Sequence, residues 1–328
     1  DGSAVAAVEV ERQQWCQLFE DPLYELRLLR EKPPSDTFPP PGKLSPSEQL
    51  KIELQKFQPS KALGQLIHDC GLAPVWGKSY QAIIKSKECA EAIETATDDS
   101  TDHRRAIARA IVAKASVLGE EQGIPLMVGS KRDEILTYLI DELHGVGMGP
   151  IGDRLKRQVF GLAGALVTWK IKGRRGAYTD IASPFSGDIL LYQARGEDIR
   201  HYIRDRITAT SGPVTVLAHS LGGIAAVDVL MKEKLDQVQG LITVGSQAPF
   251  LYELDALSSL RWGEPLPQHF PSWLNIYDAN DFLSYVGEPI FHERVRDVRV
   301  DNEQPFPQSH SAYWTNPTVW EHIREFVG

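Results

Sequence analysis

The stretch Val214-Thr215-Val216-Leu217-Ala218-His219-Ser220-Leu221-Gly222-Gly223 is where residue types and spacing point most directly to chemistry. A continuous apolar run is what a buried parallel strand requires, and here it leads into a serine flanked two positions away on either side by Ala218 and Gly222. A strand that turns sharply into a helix tolerates only small residues at those two positions, and the turn lifts the serine Oγ clear of the sheet. The helix that follows turns its backbone N–H groups and the positive end of its dipole toward whatever bonds to that serine. Ser220 is therefore expected to be a nucleophile, activated by a base. The plainer alternative is a βα loop with Ser220 as a helix cap.

His219-Ser220-Leu221-Gly222-Gly223 resembles the nucleophile elbow of α/β-hydrolase lipases and esterases, with Ala218 standing where glycine is usual. The resemblance covers roughly residues 188–327. It implies a triad in the chain order serine, acid, histidine. A strand expected over Trp273–Tyr277 runs into Asp278-Ala279-Asn280-Asp281-Phe282-Leu283, and the Asn280-Asp281 step resembles the acid-bearing stretch of lipase-like members. Asp281 is the favoured acid and Asp278 its rival, and at least one of them is expected to cap the turn through Asx hydrogen bonds. After a last strand over Val295–Val300 comes Ser309-His310-Ser311-Ala312-Tyr313-Trp314, which resembles the lipase-like histidine site and makes His310 the general base. His292 precedes that strand, His219 is expected to point away from Oγ and pack, and His322 falls in the closing helix.

On this reading His310 takes the Ser220 proton, Asp281 holds the imidazole tautomer, and Ser220 attacks an ester carbonyl to form an acyl-enzyme. The Leu221 backbone N–H is the expected oxyanion donor. The family draws its second donor from an early loop, often His-Gly. His144-Gly145 is the one such pair, but it follows a helical pattern and reads more simply as a helix C-cap. The expected function is carboxylic ester hydrolysis. The alternatives are a thioesterase, amidase or other serine acyl transferase, or a catalytically incomplete binding module or fragment of a multidomain protein.

The elements that must position these residues form three segments. Residues 1–46 read as a helical arm interrupted at Pro22 and a Pro-rich connector through Pro39-Pro40-Pro41, stiff and extended or a PxxP-type ligand. Residues 47–177 read as a helical region, a cap, lid or side domain. Its helices are marked by Leu50/Leu54/Phe57, by Leu63/Leu66/Ile67 after a Ser60 cap, by Ile107/Ile111/Ala115/Leu118 with Arg104, Arg105 and Arg109 on the polar side, by Ile135/Leu139/Leu143 and by Leu155/Val159/Leu162/Leu166. Residues 178–328 read as the α/β core, a mostly parallel sheet. Its expected strands are Gly187–Tyr192, Pro213–Ala218, Leu241–Val244, Trp273–Tyr277 and Val295–Val300, with helices over Ile199–Ile207, Gly222–Leu235 and Asn316–Phe326. Only Ala4–Val10 and Pro125–Val128 offer strand patterns earlier, so strands of the N-terminal part of such a sheet are expected to be missing.

Composition narrows the classes. With 328 residues, 42% hydrophobic and 24% charged, the chain is an ordinary globular one. A formal net charge of −9 argues against nucleic-acid binding, which rests on cationic neutralisation of phosphates, and gives no help at an anionic membrane. An ester or lipid small molecule is the expected partner, with peripheral membrane contact compatible. Three cysteines, Cys16, Cys70 and Cys89, show no metal spacing and read as small core residues in a reducing compartment. No Walker A loop, dinucleotide fingerprint or metal motif competes, so no cofactor is expected. No apolar run reaches membrane-spanning length, and a cytoplasmic location is the expectation.

Overall fold

A computed structural model describes residues 2–33, 42–144 and 187–328, with side chains from residue 8 onward. The chain divides into two compact units, Asp1–Lys172 and Gly173–Gly328. The Pro-rich connector, the Gly145–Gly149 loop, the Leu155–Leu166 pattern and the expected boundary near 177 fall wholly or largely outside the described residues.

The first unit is helical: α1 (Gly2–Glu20), α2 (Tyr24–Leu29), α3 (Pro46–Lys56), α4 (Lys61–Asp69), α5 (Ala73–Ile84), α6 (Lys87–Ile93), α7 (Thr101–Glu121) and α8 (Gly129–Leu143). Local chemistry sets several starts. Ser45 and Glu48 form a capping box, and Ser60 and Ser86 each accept a backbone N–H of the first turn. Ala4–Val10 is helical, and Pro125–Val128 belongs to neither a helix nor a strand.

Helix α7 packs against α1, α2, α5, α6 and α8 and is buried on nearly every side. Its repeated alanines let those helices approach closely, while Ile107 and Ile111 fill the centre. Burying each such side chain contributes about 1.5–3 kcal/mol. Its expected polar side is only partly solvated: Arg105 is half-buried, while Arg104 and Arg109 are buried, because the surrounding helices supply partners instead of water. Arg109 Nε donates to Glu25 Oε2 at 2.7 Å, Gln14 donates to the other oxygen of Glu25, and Arg104 donates to the Leu143 carbonyl and to Glu53. Arg132 lies 4.3 Å over the Trp15 ring and donates to Glu11 at 2.9 Å and Asp133 at 2.8 Å. The cysteines are free, and burial pushes the Cys16 thiol up to about 11 and the Cys89 thiol up to about 12, so both stay protonated and inert.

The second unit is α/β. Among the described residues its sheet has four parallel strands in the order β1 (Val214–His219), β2 (Val238–Val244), β3 (Ser272–Asp278), β4 (Val295–Val300). Between them run α10 (Leu221–Lys232), the short α11 (Ala248–Glu253) and the short α12 (Glu288–Phe291), and α9 (Glu197–Ala209) precedes β1. One sheet face, with Val216, Leu241, Trp273 and Val295, packs against α10 residues such as Ile224 and Val227. The other, with Ile242, Val244, Leu274, Ile276 and Val300, packs against Val319 and Ile323 of the closing helix α14 (Pro317–Val327), which Asn316 caps.

Two expectations are corrected. Gly187–Tyr192, expected as a strand, lies in a helix over residues 187–195, so among the described residues four strands stand where five were expected. Tyr192 is the reason: from this helix its ring reaches the core beside α10 and its hydroxyl donates to buried Asp228 at 2.8 Å, while Leu190 and Leu191 face outward. Strand β1 was expected to be buried throughout. Among the described residues it pairs only with β2, and Leu217 is 39% exposed.

Candidate active site

Strand β1 delivers Ser220 into a turn with φ 54° and ψ −129°, a conformation that costs a non-glycine residue on the order of 1–3 kcal/mol. Three features over-determine it. The Ser220 N–H donates to the Val244 carbonyl at 3.0 Å, extending the β1–β2 pairing by one residue. The Gly223 N–H donates to the Ser220 carbonyl at 2.9 Å, closing the first turn of α10. Gly223 itself lies against the end of β2, where an added Cβ would sit 2.4 Å from Ser246 Oγ. Leu221 opens α10, so its N–H is one of the leading amides with no intrahelical acceptor. Ser220 is half-buried and its side chain does not cap the helix.

His310 Nε2 lies 2.8 Å from Ser220 Oγ, and His310 Nδ1 lies 2.8 Å from Asp281 Oδ2. Three residues expected from the sequence to act together are thus in one hydrogen-bonded line, with His310 and Asp281 buried. Asp281 Oδ2 also accepts from the Tyr313 hydroxyl at 2.9 Å, and Oδ1 accepts from the Leu283 N–H at 2.9 Å. Both oxygens therefore accept from donors besides the imidazole, which restrict rotation of the carboxylate. The Tyr313 hydroxyl in turn accepts from the Asp278 N–H at 3.0 Å, and burial beside Asp281 holds its pKa well above that of an ordinary tyrosine. It is a fixed neutral donor.

Asp278 has a different part. Its carboxylate accepts from the Asn280 N–H at 2.8 Å, from Asn280 Nδ2 at 3.1 Å and from the Asn302 N–H at 2.7 Å. It caps the Asp281 turn and ties it to the loop after β4. Burial raises its pKa, against the pull of those N–H donors. Within that loop Asn302 Nδ2 donates to the Ser309 carbonyl at 2.7 Å, and Ser309 Oγ donates across to the Asn280 carbonyl at 3.0 Å. The base loop thus donates twice to the acid loop, from the Asn302 N–H and from Ser309 Oγ.

A buried polar chain supports the acid loop from beneath. Trp273 Nε1 donates to Thr243 Oγ1, Thr243 donates to Asn275 Oδ1, and Asn275 Nδ2 donates to the Tyr285 carbonyl and to Asp297 Oδ1, at 2.7–2.8 Å throughout. Gly245, at φ 58°, passes under the Asp281–His310 pair, where an added Cβ would sit 2.9 Å from the Tyr313 ring and 3.1 Å from Asp281 Oδ2. Only glycine suits both that φ and that approach.

The other histidines fall as follows. His219 bonds to the backbone of residue 310, His292 is exposed at the front of β4, and His144 is the C-cap of α8 in the other unit. Gly145 lies outside the described residues. Tyr313, Asn302, Ser309 and Gly245 have roles the sequence reading did not assign. A signal existed for Tyr313: the His-x-x-Tyr spacing puts both rings on one side of a helical turn, here the short α13 (Gln308–Ser311) and the 3₁₀ turn after it. Among the described residues no cluster of three or more potential metal ligands forms, and no helix is long and apolar enough to cross a membrane.

No family model matches this chain, and no curated protein or solved structure is similar to it at a significant level. The α/β class with a wholly parallel sheet rests on the structure alone.

Proposed function

We propose that the chain is a serine hydrolase of the α/β-hydrolase type that cleaves carboxylic esters. The observation that carries this reading is the continuous line Ser220 Oγ, His310 Nε2, His310 Nδ1, Asp281 Oδ2, with both hydrogen bonds at 2.8 Å and the serine in a strained turn at a helix N-terminus. His310 removes the Ser220 proton as Oγ attacks the ester carbonyl, and Asp281 stabilises the imidazolium that forms. The Leu221 N–H supports the oxyanion. One such donor is worth about 3 kcal/mol of barrier. His310 protonates the departing alcohol, leaving an acyl-serine; it then takes a proton from water as the water oxygen bonds to the acyl carbon, and returns it to Ser220 Oγ as the C–Oγ bond breaks and the acid leaves.

Apolar acyl groups suit the surroundings. Phe282, next to Asp281, is 62% exposed and lies 5.2 Å from the Phe306 ring, and Phe250 stacks on Tyr285 at 4.4 Å. The test is turnover of p-nitrophenyl esters of increasing acyl length. Hydrolysis by the wild-type chain that disappears in Ser220→Ala, with the fold retained, supports the reading. Equal rates in the two chains contradict it.

A further inference from the structure

Resting on that reading, we propose that His219 is a positioning residue for the base: its Nε2–H holds the His310 backbone carbonyl while its ring packs against the His310 imidazole. The Nε2 to carbonyl distance is 2.8 Å. The two ring centroids are 4.7 Å apart with planes tilted by 34°. Tyr313 at 6.0 Å and Trp314 at 5.5 Å meet the His219 ring edge-on and fix its rotamer.

A carbonyl can only accept, so Nε2 of His219 carries a proton. Burial, reinforced by the neighbouring His310, pushes the His219 pKa down to about 4, against the hydrogen bond to that carbonyl. The ring is therefore neutral near pH 7. This matters because His310 becomes cationic when it takes the Ser220 proton, and a second cation at this separation would oppose that step. A neutral histidine supplies the hydrogen bond and the packing without the charge.

The geometry closes a ring. His219 and Ser220 share one peptide bond. Ser220 Oγ meets the His310 side chain, and His219 meets the His310 main chain. The nucleophile strand thus holds the base at two points, so the Oγ–Nε2 distance does not depend on the 301–309 loop alone. A misplacement of about 1 Å at such a contact is worth on the order of 100-fold in rate.

The experiment compares the wild-type chain with His219→Phe and His219→Met, which keep bulk but remove the donor, and with His219→Gln, whose Nε2 is as many bonds from the backbone. The readouts are kcat and KM on a p-nitrophenyl ester, and the downfield proton resonance of the His310 Nδ1–H bonded to Asp281. The expected result is a fall in kcat of about 10- to 100-fold for the donorless variants, with KM changed less than about twofold, a broadened or lost downfield signal, and recovery of both by His219→Gln. Wild-type kcat and an intact signal in folded His219→Phe and His219→Met would overturn the proposal, as would failure of His219→Gln to recover either. A wild-type chain that hydrolyses no ester sinks the functional reading instead, and the resonance comparison still decides the positioning.

Discussion

Both units bury polar groups, but they arrange them differently. In the helical unit the buried charges are spread out and individually closed: Glu25 is held by Arg109 and Gln14, Arg104 spans Glu53 and the Leu143 carbonyl, and Arg132 is clamped among Trp15, Glu11 and Asp133. None of them surrounds a strained residue. In the sheet unit the buried polar groups converge. Asp281, Asp278, Tyr313, Asn302, Ser309 and His310 all serve loops at the C-terminal ends of strands, and the line they hold ends on a half-buried serine at positive φ. Buried pairing alone marks a structural lock. Buried pairing that leads out to an accessible, strained nucleophile marks a candidate site.

The two neighbouring aspartates should show the largest difference between a catalytic and a structural buried group. Asp281→Asn keeps the shape but favours the wrong imidazole tautomer, and is expected to lower kcat by about 10⁴-fold in ester turnover. Asp278→Asn removes an acceptor of backbone N–H groups, and is expected to appear chiefly in urea unfolding, as a loss of about 1–3 kcal/mol. The reverse ordering of rates would exchange their roles. Next in size, Arg109→Ala leaves Glu25 buried without its cation and is expected to cost the helical unit about 3–5 kcal/mol in denaturant unfolding. Ester turnover should be unchanged wherever both units stay folded. A large drop there would mean that the helical locks also serve the chemistry.

The smallest effect concerns pH. Burial and nearby Asp133 raise the Glu11 pKa to about 7, outweighing Arg132. The folded chain then binds more protons than the unfolded one between about pH 4.5 and 7, so stability from this group is present below that window and is lost as pH rises through 7. Solvent screening limits the effect to about 1 kcal/mol. Unfolding free energies from urea titrations at pH 5 and pH 8 should differ by that amount in the wild-type chain and converge in Glu11→Gln.

Much of the site was legible because its residue types are forced. The Ala218-x-Ser220-x-Gly222 spacing marks a strand-to-helix turn, although the close approach falls at Gly223 and an added Cβ at Gly222 would meet nothing within 4 Å, and β1 and β3 follow from mostly apolar runs bounded by turn residues. Choosing Asp281 over Asp278 was legible as a preference. What separates them is a partner 29 residues away, His310, against local N–H groups. Other features were hidden. Ile189-Leu190-Leu191-Tyr192 fits a strand or a helix equally, and the choice falls to tertiary contacts of Tyr192. The arginines of α7 look solvated until the helices around them are known. His219 meets a backbone carbonyl, which carries no residue-type signal at all.

The most direct test of the central claim is the intact mass of the wild-type chain and of Ser220→Ala after exposure to a fluorophosphonate probe. One phosphonyl adduct is expected on the wild-type chain, slowed at least 100-fold in Asp281→Asn and absent from Ser220→Ala. An unlabelled wild-type chain, or equal labelling of wild type and Ser220→Ala, would contradict it.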